Sequence, residues 1–164
     1  MNATMVASGT KAVPPTVSSI QDILLSKIRE SKTNPRRFFD EAKLAELADN
    51  IRQHGVLQPI LLRPLPEGEA GTFELVAGTR RYRASKLAKR ESIPATVRDL
   101  TDAQALELQV IENVQRVDVH PLDEAQGYAA LVQLQPDVYT VESIASRVGR
   151  SPAYVSGLPT LMKN

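Results

Sequence analysis

The distribution of apolar residues changes character at Ile20. Residues 1–19 are mainly Ala, Ser, Thr, Val and Pro with a single charged side chain, Lys11, and show no sustained apolar period, so a disordered arm is expected there. Ile23, Leu24, Leu25 and Ile28 then read as a first strand, with a short helix as the alternative for so brief a run. Asn34-Pro35 marks a turn, because the residue before a proline is pushed out of the helical region. Asp40 can cap a helix on which Leu44, Leu47, Ala48 and Ile51 recur at helical spacing and which stops at His54-Gly55. Residues 60–62 and 73–76 predict two strands that could pair as a hairpin across the Pro- and Gly-rich stretch 64–71.

After Gly78 the pattern predicts a basic helix through Lys89 and a short strand at 95–97. Thr101-Asp102-Ala103-Gln104 has the form of a capping box and opens a helix to about Arg116. Pro121, at a favourable first-turn position, opens another helix to about Gln135, and 140–164 reads as two short helices joined at Gly149. The sum is an α+β fold: a small mixed sheet with helices over residues 20–118, followed by an all-helical segment over 119–164.

Composition narrows the chemistry. With 42% hydrophobic residues in 164, only 4% aromatic and no Trp, the core must be built from Leu, Val, Ile and Ala. A net charge of +1 creates no global positive field, so nucleic-acid binding would need local clusters of Lys and Arg. The absence of Cys excludes disulfides, a thiol nucleophile and Cys-based zinc sites. No apolar run approaches bilayer length and no signal-peptide pattern opens the chain, so a cytoplasmic protein without membrane contact is expected.

Two segments carry candidate chemistry. Gly78-Thr79-Arg80-Arg81-Tyr82-Arg83-Ala84 sits where a strand turns into a helix, a place that offers unpaired backbone N–H groups and positive dipole to an anion. Seven basic residues against the single acid Glu91 lie between Gly78 and Arg98. A triphosphate would be well served there; a solvated basic helix face is the plainer alternative. Across 101–126 the balance reverses, with Asp102, Glu107, Glu112, Asp118, Asp123 and Glu124 against Arg116 alone. At about 100° per residue, Ala103, Leu106, Val110 and Val114 share one face while Gln109, Glu112, Asn113 and Arg116 gather on the other. Glu112 and Asn113 would suit magnesium and Arg116 a phosphate, against the alternative of an ordinary Glu112–Arg116 pair on a solvated face. His54 and His120 read as structural or surface residues.

Residues 140–155 carry a helix-turn-helix pattern: Ala145 is small where two helices cross, Gly149 takes the turn, Val155 faces the core, and Ser151-Pro152 supplies a cap and a first-turn proline. The second helix of such a motif enters the major groove, which makes Arg150, Ser151, Ala153, Tyr154 and Ser156 the candidates to approach DNA. An ordinary helical hairpin is the alternative. Gly157 and Pro159 interrupt the chain just beyond Ser156, so a short recognition helix and an incomplete DNA-binding domain are expected.

Taken together, Thr33-Asn34-Pro35-Arg36-Arg37-Phe38-Phe39, Gly55-Val56-Leu57-Gln58-Pro59-Ile60, the Gly78–Ala84 run and Glu112-Asn113-Val114-Gln115-Arg116 occur in the order and approximate spacing of the ParB family, which this chain resembles over roughly residues 20–154. The resemblance implies a ParB/sulfiredoxin-like fold and a CTP-binding, DNA-binding partition protein acting as a nucleotide-gated clamp with slow CTP hydrolysis. It implies phosphate contacts from Gly78, Thr79, Arg80, Arg81 and Arg116, nucleoside-side contacts near Arg36 and Gln58, and Mg2+-linked contacts from Glu112 and Asn113, with Glu112 the candidate catalytic residue. Implied partners are a centromere-like double-stranded DNA site, a second copy of the chain and a ParA-type ATPase, although residues 1–19 contain no Arg for the last contact. The family's C-terminal dimerisation domain is not found in the sequence. Thr79 stands where the family usually has Glu or Gln, which bears on hydrolysis, and Asn34 stands where it has Gln, which bears on base selectivity. A metal-dependent nuclease built on Glu112 and a nucleotide-independent helix-turn-helix regulator remain the other readings. Sulfiredoxin activity needs a catalytic Cys that the chain does not contain.

Overall fold

A computed structural model of the chain describes residues 19–34, 39–65, 71–117 and 119–158; the expected arm up to residue 18, Arg36 and Asp118 lie outside them. The described elements run β1 (Gln21–Leu24), β2 (Ile28–Glu30), α1 (Glu41–His54), β3 (Ile60–Pro64), β4 (Phe73–Ala77), α2 (Thr79–Leu87), β5 (Ser92–Val97), α3 (Asp102–Val114), α4 (Pro121–Leu134), α5 (Val141–Val148) and α6 (Pro152–Ser156). The strands form one mixed sheet in the order β1-β5-β3-β4-β2. The expected β3–β4 hairpin is antiparallel, with Leu62 opposite Leu75, while β3 with β5 and β2 with β4 are parallel.

The single strand expected over 23–28 is two strands. Leu25–Lys27 form a 3-10 turn, and β1 and β2 on either side of it occupy opposite edges of the sheet. Three residues at a 3-10 rise span roughly 6 Å, so the two edges must approach each other and the sheet curls. Leu25, buried at this corner, donates its N–H to the Glu91 carbonyl at 2.9 Å. The apolar run serves two strand partners at once, β5 through β1 and β4 through β2, and periodicity cannot show that.

Local signals fix the helices. Asp40 accepts from the Ala42 and Lys43 amides and caps α1, whose C-terminal Gly55 has φ +72°. Thr101 and Gln104 complete the capping box of α3. His120 Nδ1 accepts from the Leu122 amide and caps α4, a structural role in keeping with its sequence reading. The interior of the curled sheet holds Ile28, Ile60, Leu62, Leu75 and Ile93, while Ala48 and Ile51 of α1 pack on Ala84 of α2. A third cluster joins Ala103, Leu106, Val110 and Val114 of α3 to Ala125, Tyr128 and Leu131 of α4 and to Ile144, Ala145 and Val155. The polar face of α3 is partly covered: Gln109 and Asn113 are buried, Arg116 is half-buried and Glu112 is exposed. Helix α3 is thus a shared wall, facing the sheet with one side and the helical unit with the other. Among the described residues no helix is long and apolar enough to cross a membrane.

Candidate functional site

The end of β4, the first turn of α2, one face of α3, Leu47 of α1 and Asn34 enclose a cavity of about 360 Å³. Its geometry starts at Gly78, which takes φ +102° as the residue before α2. A Cβ there would lie 2.6 Å from Ile60 Cγ2, so only glycine allows the strand to turn into the helix at this point. Gly78 has no side chain with which to cap α2, and the first turn of the helix, with the positive end of its dipole, lines the cavity.

Of the residues singled out in the sequence, Gly78, Thr79, Arg80, Arg81, Glu112, Asn113 and Arg116 all line this cavity. Gln58 does not: its side chain is exposed outside the lining, and its carbonyl accepts from Arg81 Nη1 at 2.8 Å. Arg81 Nη1 also donates to the Pro59 carbonyl at 2.5 Å, so this guanidinium braces the 58–59 turn against α2 while facing the site. Burial pulls the Arg81 guanidinium below its usual pKa, and the Glu112 carboxylate opposes that shift. Arg116 Nη1 approaches Asn113 Oδ1 at 3.4 Å, holding the two side chains together at the C-terminal end of α3.

The basic run is less uniform than its sequence suggests. Arg83 pairs with Glu30 on β2 at 2.7 Å and stacks on Phe39, and Arg90 Nη2 donates to the Ile51 carbonyl at 2.7 Å near the end of α1. The acids of 101–126 are equally dispersed. Asp102 and Glu74 bind the buried Arg63 at 2.9 and 3.0 Å, Glu107 binds Arg147, and Glu124 is buried among tyrosines. Among the described residues only Glu112 brings a carboxylate to the cavity, so the local charge reversal is divided among several interfaces instead of forming one complementary pair of surfaces.

Sequence reasoning did not assign Asn34, Leu47, Val76 or Gln109 to the cavity as contacts. Asn34 Nδ2 donates to Thr79 Oγ1 at 2.9 Å and closes one side of it. A signal for Gln109 did exist in its position three before Glu112, on the same helical face.

Glu112 and Asn113 supply the hard oxygen donors that a magnesium ion requires. No cluster of three or more His, Asp or Glu residues occurs among the described residues, so the donor set fits an ion shared with ligand phosphates better than a dedicated protein cage.

In the helical unit, α5 and α6 meet at Gly149, φ +75°, with Ile144, Ala145 and Val155 between them. Arg150, Ser151 and Ala153 are exposed at the start of α6, and Ser151 caps it through the Tyr154 amide at 3.2 Å. Ser156 is half-buried, with its hydroxyl donating to the Ala153 carbonyl. Tyr154 is exposed as well; its hydroxyl donates to Glu124 Oε2 at 2.9 Å, and Arg150 lies over its ring at 5.0 Å. Helix α6 has five residues, in line with the short recognition helix read from Gly157.

Similarity to known proteins agrees with this geometry. The family model of the ParB N-terminal domain matches residues 9–114. The chromosome-partitioning protein Spo0J of Thermus thermophilus is 44% identical over 151 residues, 92% of this chain and 54% of that protein. The crystal structure of C-terminally truncated chromosome-partitioning protein ParB from Caulobacter crescentus complexed with CTP-gamma-S matches with a TM-score of 0.56 and 40% identity, covering 84% of this chain and 74% of that one. The same truncated protein complexed to the centromeric parS site matches with a TM-score of 0.64 and 38% identity, over 83% and 68% of the two chains. The chain spans about half the length of the curated relatives it matches. With two of its motifs meeting at one cavity, and with this family match and these relatives, the chain belongs to the ParB family.

Proposed function

We propose that this chain is the nucleotide-binding and DNA-reading part of a partition protein, in which CTP occupies the cavity at α2 and gates the grip of the helical unit on a centromere-like DNA site. The observation that carries the reading is the convergence of Gly78, Thr79, Arg80 and Arg81 with Glu112, Asn113 and Arg116 around one cavity at an uncapped helix N-terminus. Three guanidiniums and a row of backbone amides are the donor set that a polyphosphate needs. Glu112 and Asn113 would hold Mg2+, which supplies charge neutralisation between phosphate oxygens when bound. Arg80 and Arg116 orient the phosphate chain, Arg81 keeps the 58–59 turn in place beside it, and Glu112 is positioned to orient a water molecule for slow hydrolysis.

Helix α3 offers a route for gating. Its Gln109, Glu112 and Asn113 face the cavity, while Glu107 binds Arg147 of α5 and accepts from the Tyr139 hydroxyl at 3.2 Å. A ligand that shifts α3 relative to the sheet would therefore act on the helix-turn-helix through Glu107 as well as through the apolar contacts of Val110 and Val114. Arg150, Ser151 and Ala153 then present to the major groove, and self-association of two such chains would enclose the duplex.

Calorimetry of CTP, ATP, GTP and UTP binding with magnesium tests the reading, with Arg80→Ala as the variant, since Arg80 lines the cavity without the bracing contacts of Arg81. Selective CTP binding that Arg80→Ala weakens about 100-fold supports it. A folded protein that binds no nucleotide rejects it in favour of a nucleotide-independent regulator. A Glu112→Gln variant is expected to keep most of the CTP affinity while losing turnover, and equal hydrolysis by both proteins would remove Glu112 from the catalytic role.

A further inference from the structure

Among the described residues, two buried side-chain polar atoms have no hydrogen-bond partner, Ser85 Oγ and Gln109 Nε2. Ser85 is enclosed in α2 away from the cavity lining, whereas Gln109 lines the cavity. Buried amide donors are nearly always paired in folded proteins, because an unpaired one forfeits its bond to water and gains nothing in return. Gln109 is 4% exposed, so bulk water does not meet that need.

We propose that the Gln109 carboxamide is a further binding residue of the nucleotide site, donating its N–H to an oxygen of the ligand's phosphate chain. The inference rests on the reading of the cavity as a nucleoside triphosphate site. It adds a residue outside the four motifs that carry the family resemblance.

Three observations place the contact. Gln109 stands three residues before Glu112 and four before Asn113 on α3, hence on the same face as the candidate phosphate and metal contacts. Its Oε1 accepts from Thr33 Oγ1 at 3.4 Å, a long bond that holds the amide only loosely and leaves it able to turn toward a ligand. Thr33 adjoins Asn34, whose Nδ2 donates to Thr79 Oγ1 in the first turn of α2. The amide therefore belongs to the side of the cavity where helix N-terminal amides collect anionic oxygens, which favours a phosphate acceptor over a base or ribose acceptor. An amide suits this place because a carboxylate of the same size would repel the ligand.

The test compares the full chain with Gln109→Met, which keeps the length of the side chain and removes the donor, and Gln109→Glu, which keeps the shape and adds a charge. Affinities for magnesium-CTP and for magnesium with inorganic triphosphate are measured by calorimetry, and ligand-free melting temperatures by circular dichroism. Gln109→Met is expected to bind both probes about tenfold more weakly, with a ligand-free melting temperature equal to or above that of the parent, since the unpaired donor is gone. A residue with only a structural role would not combine lost affinity with retained or raised stability. Gln109→Glu is expected to lose about 100-fold or more on both probes.

Parent-like affinity in Gln109→Met overturns the inference while leaving the nucleotide reading intact. Weaker CTP binding with unchanged triphosphate binding overturns the phosphate assignment and moves the donor to the nucleoside. Absence of binding to either probe by the folded parent removes the nucleotide reading, and this inference with it.

Discussion

The cavity at α2 and the helical unit around α6 solve opposite problems with similar side chains. In the cavity, Gly78 offers no side chain to cap the first turn of α2, three guanidiniums stand in the lining, and Gln109 Nε2 has no hydrogen-bond partner among the described residues. In the helical unit the polar groups are closed on one another. Glu124, 1% exposed, accepts from Tyr128 at 2.6 Å and from Tyr154 at 2.9 Å, and Glu107 accepts from Tyr139 and binds Arg147. The first arrangement leaves a buried donor that a ligand oxygen would satisfy. The second is complete by itself, which holds α6 in a fixed pose without a partner.

The largest expected effect falls on the cavity. Gly78→Ala forces a Cβ to within 2.6 Å of Ile60 Cγ2 at φ +102°, and should cost about 2–4 kcal/mol in urea denaturation, with loss of nucleotide binding. A variant of parent stability would show that the β4–α2 turn adapts, and would undercut the rigid anion site. Glu124→Ala comes next, at about 2–3 kcal/mol, because it leaves the Tyr128 hydroxyl buried without its acceptor. Its nucleotide affinity should stay near that of the parent, because Glu124 stands on α4 and bonds to Tyr128 and Tyr154, not to the cavity lining. Tyr154→Phe is milder, about 1 kcal/mol in stability, and should weaken binding to a parS duplex through the loosened pose of α6. Unchanged DNA affinity in that variant would mean that the Glu124 bond plays no part in presenting the helix.

Much of this organisation was legible in the sequence because it rests on local rules. The Asp40 cap, the Thr101–Gln104 box, Pro121, Gly149 and the Ser151-Pro152 start all appear where short-range chemistry puts them. The cavity residues were legible because two segments, 78–81 and 112–116, each weak alone, carry chemistry suited to a single ligand. What was hidden depends on distant partners. Nothing local in 23–28 says that its two halves reach opposite sheet edges, and nothing in Arg81 says that its guanidinium is shared with the Gln58 and Pro59 carbonyls. Nothing local to Tyr154 says that its hydroxyl meets Glu124, thirty residues earlier.

The smallest expected effect separates the two regions by pH. Burial first, and then the bond to Glu124, pushes the Tyr128 phenol far above its usual range. The bond to Glu124 raises Tyr154, with burial second, and burial followed by Glu107 raises Tyr139. A phenol whose pKa is raised on folding contributes stability that is fully present below its unfolded value of 10.0 and is lost as pH climbs through the folded value. Melting temperature should therefore fall as pH rises above about 10, and the fall should be shallower in Tyr154→Phe than in the parent. Lysines titrate in the same window but are identical in the two proteins, so the difference between the curves isolates the phenol. Arg80→Ala leaves every phenol and its acceptor in place, so its curve should show the same fall as that of the parent. Parallel curves for Tyr154→Phe would mean that the phenol's bond to Glu124 does not persist in solution, and that the closed polar network of the helical unit is weaker than its geometry suggests.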